Sequence, residues 1–227
     1  MPERLFKPQC LRLITLLKQG EREKASTFTA TVTAQRGAEW TYLYMLIPSV
    51  YAVGEMFVSG AIGAEACDRC VNDVLSIMEE TRHSLARRPR LGRKVFASFL
   101  PGHAHSVGFI AICHWLDRDG WDVERPAFVP REEELVEQIV AAASDVIALT
   151  CSIPRNVVQA RRIIRAVRAR GIRAPVWVGG LPINAMPGLF ERTGADRTAR
   201  DIIAFTQALA ADFGYKTLTP AAAAVDG

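Results

Sequence analysis

The feature that most constrains this chain is a change of hydrophobic period near its middle. Up to about residue 87, apolar residues recur three and four apart; from residue 94 onward, short apolar runs alternate with amphipathic stretches. A helical period cannot continue a sheet, so the two halves must build different architectures. The first half offers four helical segments. Leu5, Leu11, Ile14 and Leu17 mark the first, which breaks at Gly20. The second covers 21–35 and stops at Gly37. The third, 39–58, carries Tyr42, Met45, Leu46, Tyr51, Val53 and Phe57; the fourth, 63–87, carries Val71, Val74, Leu75 and Met78. Glycine-marked turns between them predict an up-down four-helix bundle over residues 1–87. The alternation of Thr27, Thr29, Thr31 and Thr33 is the one stretch that imitates a strand.

Residues 87–93 (RRPRLGR) combine Pro, Gly and charge and read as a linker with solvated arginines. Beyond it, strands are expected at 94–100, 121–129, 145–150 and 175–178. Helices are expected at 106–119, 131–143, 156–170 and 198–213, followed by a frayed tail. Glu132, Glu133 and Glu134 place negative charge on the first turn of one of them, as the helix dipole favours. Strand–helix alternation predicts a parallel, flavodoxin-like sheet covered on both faces, over residues 94–216. The fold class is therefore α + α/β.

Composition narrows the function classes. Of 227 residues, 49% are hydrophobic and 23% charged, which is globular and excludes a disordered chain. The net charge of +4 is too mild to argue for nucleic acid by itself. Five cysteines form an odd set in a chain that needs no disulfide framework, and no signal-peptide pattern opens the sequence. Apolar runs are broken short of 18 residues, so no membrane span is expected, and the localisation expected is cytoplasmic.

In a doubly wound fold, ligands sit at the carboxyl ends of the strands. Three loops there carry suitable residues. Gly102-His103-Ala104-His105-Ser106-Val107-Gly108 follows the first strand, Thr150-Cys151-Ser152 the third and Gly179-Gly180 the fourth. An imidazole followed three residues later by glycine projects a nitrogen beyond the sheet while leaving room for a ligand. A hydroxyl on the next loop supplies a hydrogen bond, and the glycine pair admits a bulky group.

These residues carry a resemblance. The second half is similar to the cobalamin-binding domain of the methionine synthase and methylmalonyl-CoA mutase type, whose signature is Asp-x-His-x-x-Gly, then Ser-x-Leu, then Gly-Gly. Here the pattern is His103-x-His105-x-x-Gly108, Thr150-x-Ser152 and Gly179-Gly180. The resemblance implies that His105 ligates cobalt from below, that Thr150 takes the serine role, and that Gly179 and Gly180 let the nucleotide tail approach. It also places His103, Ser106, Val107, Gly108 and Ser152 at the cofactor. His103 stands where the family has the aspartate that orients the ligand histidine, and Ser152 where it has leucine. For His103, a supporting contact, an alternative ligand and a plain loop position remain open.

In the first half, Ile47-Pro48 and Val53-Gly54-Glu55-Met56-Phe57-x-x-Gly60-x-Ile62 resemble the cap over the upper corrin face in CarH-type light-sensing repressors. Phe57 replaces a tryptophan there, and Cys67-Asp68 a Glu-His pair. The resemblance spans roughly residues 9–213 and extends to the AerR/PpaA antirepressors and to bilin-containing cobalamin photoreceptors. It implies adenosylcobalamin or hydroxocobalamin as cofactor, with a bilin or heme as second or alternative tetrapyrrole. It implies no catalytic residue. The function expected is a photoreceptor or antirepressor-type sensor acting through a regulatory protein partner, with a homo-oligomer as a further expected association. The alternative is a corrinoid carrier of a methyltransferase system.

Other motifs read as structure. Cys67-x-x-Cys70 has no second ligand pair for zinc. The arginines at 161, 162, 165, 168, 170 and 173 accompany no base-reading element, so they read as a solvated or protein-contacting face and no direct sequence-specific DNA binding is expected.

Overall fold

The computed structural model describes residues 6–101, 107–126 and 131–218. It divides into two compact units, one running up to Ala86 and one spanning Arg87–Thr217. In the first, α1 (Pro8–Lys18), α2 (Arg22–Arg36), α3 (Ala38–Val58) and α4 (Ala64–Thr81) pack on one another. Cys10, Leu13, Leu17, Val32, Met45, Leu46, Val53, Val74 and Met78 are buried. The threonine run of α2 is helical throughout. Its hydroxyls bond backward along the helix: Thr29 Oγ1 donates to Ala25 O at 2.8 Å and Thr31 Oγ1 to Thr27 O at 3.0 Å. That satisfies their donors without a sheet.

Helix α3 runs unbroken for 21 residues through Pro48, over the span expected of the third helical segment. Proline has no N–H to return to the preceding turn, and the helix absorbs this with a π turn at Tyr42–Leu46, in which Ile47 N–H donates to Tyr42 O. By length and composition α3 could cross a membrane. It packs against α1, α2 and α4, and its Tyr42 hydroxyl donates to Met78 O on α4 at 2.6 Å.

The second unit holds a four-stranded parallel sheet in the order β2-β1-β3-β4, formed by β1 (Lys94–Phe99), β2 (Asp122–Glu124), β3 (Val146–Thr150) and β4 (Val176–Gly179). Helices α5 (Val107–Arg118), α6 (Glu132–Ala142), α7 (Asn156–Ala169), α8 (Leu181–Ala185) and α9 (Ile202–Phe213) complete it. This is the flavodoxin-like arrangement expected. The edge strand β2 is shorter than its apolar pattern suggested: Asp122 and Glu124 face solvent, and Pro126 cannot donate to a ladder. Residues 127–130 of that expected strand lie outside the described residues.

Alternation along the strands sorts the core onto two faces. Phe96, Ile147, Leu149, Cys151, Val176 and Val178 pack against α6 and α7. Val95, Val146 and Trp177 pack against α9 through Phe205 and Leu209, while Ala97 and Phe99 pack against α5 through Phe109 and Cys113.

The 87–93 segment is held rather than free. Arg88 N–H donates to Arg118 O and Leu91 N–H to Gly120 O, both at 2.9 Å. Arg90 donates to Trp121 O at 2.7 Å and pairs with Asp117 at 2.9 Å; Arg93 pairs with Asp145 at 2.8 Å. Composition could not show this, because the acceptors are carbonyls and carboxylates far along the chain.

Candidate functional site

Strand order makes the edge between β1 and β3 the point where successive connections leave in opposite directions. The chain passes outward from β1 to β2 on one side and from β3 to β4 on the other. Loops diverge there and leave a crevice at the carboxyl ends. Phe99 lies opposite Thr150, and Thr150 opposite Gly179; one step earlier, Ala97 lies opposite Ala148 and Ala148 opposite Trp177. Both rows share the α5/α9 face.

That face is incompletely filled. Its apolar residues fall into two clusters, one around Phe99 and Phe109 and one around Trp177 and Phe205, with Ala148 bordering both. Ala148 and Thr150 are only half-buried although β3 is a central strand. A Cβ built on Gly179 meets no atom within 4 Å. Small side chains at 148, 150 and 179 therefore leave a slot at the carboxyl edge of the sheet on this face. Close packing normally closes such a space, so its persistence marks room for a ligand.

The two glycines do different work. Gly179 opens the slot. Gly180 has φ +117°, and a Cβ there would lie 2.0 Å from Cys151 O and 2.9 Å from its carbonyl carbon. Cys151 N–H donates to Gly179 O at 2.8 Å, so this contact clamps the β3 and β4 loops together. Resemblance assigned both glycines to ligand approach; backbone crowding gives Gly180 a structural reason of its own to lack a side chain.

Asn156, at the start of α7 and 1% exposed, organises the β3 loop. Its Oδ1 accepts from the N–H groups of Ser152 and Ile153, both at 3.1 Å, and its Nδ2 donates to Gln159 Oε1 at 2.7 Å. Gln159 Nε2 then donates to Pro101 O at 3.3 Å, tying the β3 loop to the chain leaving β1. Ser152 Oγ is sealed from solvent and has no hydrogen-bond partner. A buried hydroxyl left without a partner costs free energy. Asn156→Ala is expected to leave the two loop N–H groups without an acceptor and to lower unfolding stability by about 2–3 kcal/mol. A denaturant titration of the ligand-free protein measures it; a loss below about 0.5 kcal/mol would show that the loop does not depend on this side chain.

Of the other residues singled out by sequence, Val107 is buried and Gly108 half-buried at the start of α5, below the crevice. His103, His105 and Ser106 lie outside the described residues. Phe57, at the end of α3, is 46% exposed, and its neighbour Val58 is 86% exposed. Cys67, on α4, is half-buried and Cys70 buried. Burial, followed by the neighbouring Asp68, raises the Cys67 thiol above its usual range. Burial pushes both Cys113 and Cys151 up to about 12, so these thiols stay protonated near neutrality. Among the described residues, no group of three or more His, Cys, Asp or Glu stands ready to hold a metal ion.

Sequence reasoning missed Ala148, Trp177, Asn156 and Gln159. An alanine interrupting the Val-Ile-x-Leu run of β3 was the available signal for the slot. The asparagine and glutamine carry no signal without the loops they join.

Residues 93–209 match the family described as the B12 binding domain. The chain is also similar to the solved monomethylamine corrinoid protein of Methanosarcina barkeri, at 16% identity and TM-score 0.73, covering 88% of this chain and 96% of that one. A cobalamin-binding protein from Desulfitobacterium hafniense (16% identity, TM-score 0.48, 89% and 97% covered) also aligns. So does the Methanosarcina barkeri methanol:cobalamin methyltransferase complex (14%, 0.48, 96% and 82%). A search of curated proteins found no match.

Proposed function

The chain belongs to the B12-binding domain family, and on that premise we propose that it is a cobalamin-dependent sensor that signals through a protein partner. The observation that carries cobalamin binding is the slot at the β1/β3 switch point. It combines open space over Gly179 with the half-buried Thr150 hydroxyl opposite it. A nucleotide tail fits both: it fills volume and offers hydrogen-bonding atoms. Ser152, Thr150 and Gly179 would hold that tail, while Asn156 and Gln159 keep the two loops in place. His105, by resemblance, would supply a nitrogen to cobalt from below.

The sensor reading rests on the end of α3. Phe57 and Val58 expose apolar side chains in the segment that resembles the cap of light-sensing repressors. When bound, an alkylated cobalamin supplies a light-sensitive bond between cobalt and its upper ligand. In this reading adenosylcobalamin or hydroxocobalamin is the resident form, and a bilin or heme is a second tetrapyrrole to be looked for. Output passes to a protein partner. Arg162, Arg168 and Arg170 are neutralised by Glu132, Asp196 and Glu137, while Arg161 and Arg165 on α7 remain exposed for an acidic surface. Alternating charge of this kind suits a protein better than a continuous polyphosphate, and no sequence-specific DNA binding is expected.

A corrinoid carrier in methyl transfer is the second reading. The whole-chain likeness to the monomethylamine corrinoid protein is the observation on its side. The deciding experiment records absorption spectra of the cobalamin-loaded protein and its His105→Ala variant before and after illumination, with free cobalamin as control. The sensor reading expects a light-induced spectrum that differs from photolysed free cobalamin, accompanied by a change in oligomeric state or partner binding. His105→Ala should return the dark spectrum to a base-on or water-ligated form. A light response identical to that of free cobalamin, together with methyl uptake by the reduced protein, would favour the carrier.

A further inference from the structure

The arginines in and around α7 divide into two sets. Arg162 pairs with Glu132 and Arg170 with Glu137, both on α6. Arg168 pairs with Asp196 at 2.5 Å and donates to the carbonyls of Ile172 and Ala174, both at 2.9 Å. Arg155, Arg161 and Arg165 are exposed, and among the described residues no acid or carbonyl engages their guanidinium groups. These three stand against the preferences of their own helix. Arg155 occupies the N-cap, where the helix dipole favours an acid, and the first turn of α7 holds none. Arg161 and Arg165 form an i, i+4 pair of like charge, which weakens a helix. Neighbouring α6 shows the opposite, with Glu132, Glu133 and Glu134 in its first turn. Val158, 45% exposed, is three residues from both Arg155 and Arg161 and seven from Arg165. The four share a face about 15 Å long.

We propose that this face of α7 docks an acidic, amphipathic helix of a partner protein, which seats an apolar side chain on Val158 and carboxylates on Arg155, Arg161 and Arg165. The inference rests on the proposed output through a protein partner, and it names where that partner binds and what chemistry it brings. A guanidinium takes a carboxylate through two parallel N–H groups. Carboxylates arriving at three-and-four spacing turn the repulsion between Arg161 and Arg165 into attraction and supply the negative charge that the start of α7 lacks. The acids of α6 favour a protein helix over a nucleic acid. Glu133 is exposed and the Glu137 side chain is 60% exposed, so carboxylates flank the arginines and would repel a phosphate chain crossing both helices. A helix with a basic edge opposite α6 meets both signs of charge.

The test titrates the full chain, ligand-free and cobalamin-loaded, with a fluorescein-labelled synthetic helix that carries glutamates on one face and a leucine seam. Fluorescence anisotropy reads binding at low and physiological salt. Control probes are the same helix with lysines for glutamates, the same helix with glutamines for leucines, and a short DNA duplex. The acidic helix is expected to bind, to weaken as salt rises, and to lose at least about tenfold in affinity when Arg161→Glu and Arg165→Glu are combined. Val158→Asp should also weaken it. Arg12→Glu with Lys18→Glu, exposed on α1, should leave affinity within about twofold. Arg161→Gln with Arg165→Gln gives the same reading if melting shows that the glutamates disturb α7. Absence of binding, or binding that survives substitution at 161 and 165, overturns the proposal. Tighter binding of the duplex, lost through the same substitutions, overturns it in favour of a nucleic-acid site. Self-association lost in those variants overturns it in favour of a contact between copies of this chain. The light-induced spectral change is read on the same samples. Its absence removes the sensor reading while helix binding still stands; its presence without helix binding removes only the docking site.

Discussion

Gly180→Ala is expected to cost on the order of 3 kcal/mol or more of folding stability, enough to leave the α/β unit poorly folded near body temperature. Two effects add at this position. The backbone sits at φ +117°, a conformation that side chains other than glycine's hydrogen rarely adopt. The added methyl would lie 2.0 Å from the Cys151 carbonyl oxygen, which is main chain and cannot swing aside. Relief requires separating the β3 and β4 loops, and that breaks the 2.8 Å hydrogen bond from Cys151 N–H to Gly179 O. Thermal or denaturant unfolding of the ligand-free protein reads the effect. A variant that melts within a degree or two of the parent would show that the clamp is not rigid.

Gly179→Val is expected to do the opposite: fold normally and lose the ligand. Nothing lies within 4 Å of a Cβ at this position, so the side chain projects into the slot without collision. Valine also favours a strand. The slot narrows between Thr150 and the Trp177–Phe205 cluster, and cobalamin affinity is expected to fall at least about a hundredfold, near 3 kcal/mol. Cobinamide, which has no nucleotide to insert, should be affected far less. The expected pattern is unchanged melting, cobalamin binding abolished and cobinamide binding largely kept. Unchanged cobalamin affinity would place the tail elsewhere. The pair of neighbouring glycine variants separates construction from recognition, since one removes the scaffold and the other fills the space it leaves.

The fold was legible wherever a repeating pattern expressed it. Strand runs at 94–100 and 145–150 and the helices between them follow from periodicity alone, because burial on both faces demands continuous apolar runs and helical faces demand three-and-four spacing. The helical half followed similarly, down to the breaks at Gly20 and Gly37. The candidate site was legible only as three loops. Thr150, Ser152, Gly179 and Gly180 attracted notice as residue types at strand ends, and a resemblance ranked them. Nothing in the order Gly-Gly distinguishes a glycine facing open space from one pressed against a carbonyl. Asn156 and Gln159 were invisible for the same reason: their partners are loop N–H groups and the Pro101 carbonyl, which is 58 residues away from Gln159.

Sequence by itself determined which segments are helices and strands, that the sheet is parallel, and that a ligand belongs at its carboxyl edge. These are local periodicities and short-range turn chemistry, and each is written within a window of about a dozen residues. Tertiary structure alone decided the strand order β2-β1-β3-β4, and therefore where the crevice opens. It also decided that Ala148 and Gly179 leave a slot, that Gly180 clamps a loop, and that Trp177 holds a donor without an acceptor. Those are properties of packing between residues distant in the chain. Whether a small side chain leaves a cavity or a polar atom finds a partner depends on what the fold brings opposite it.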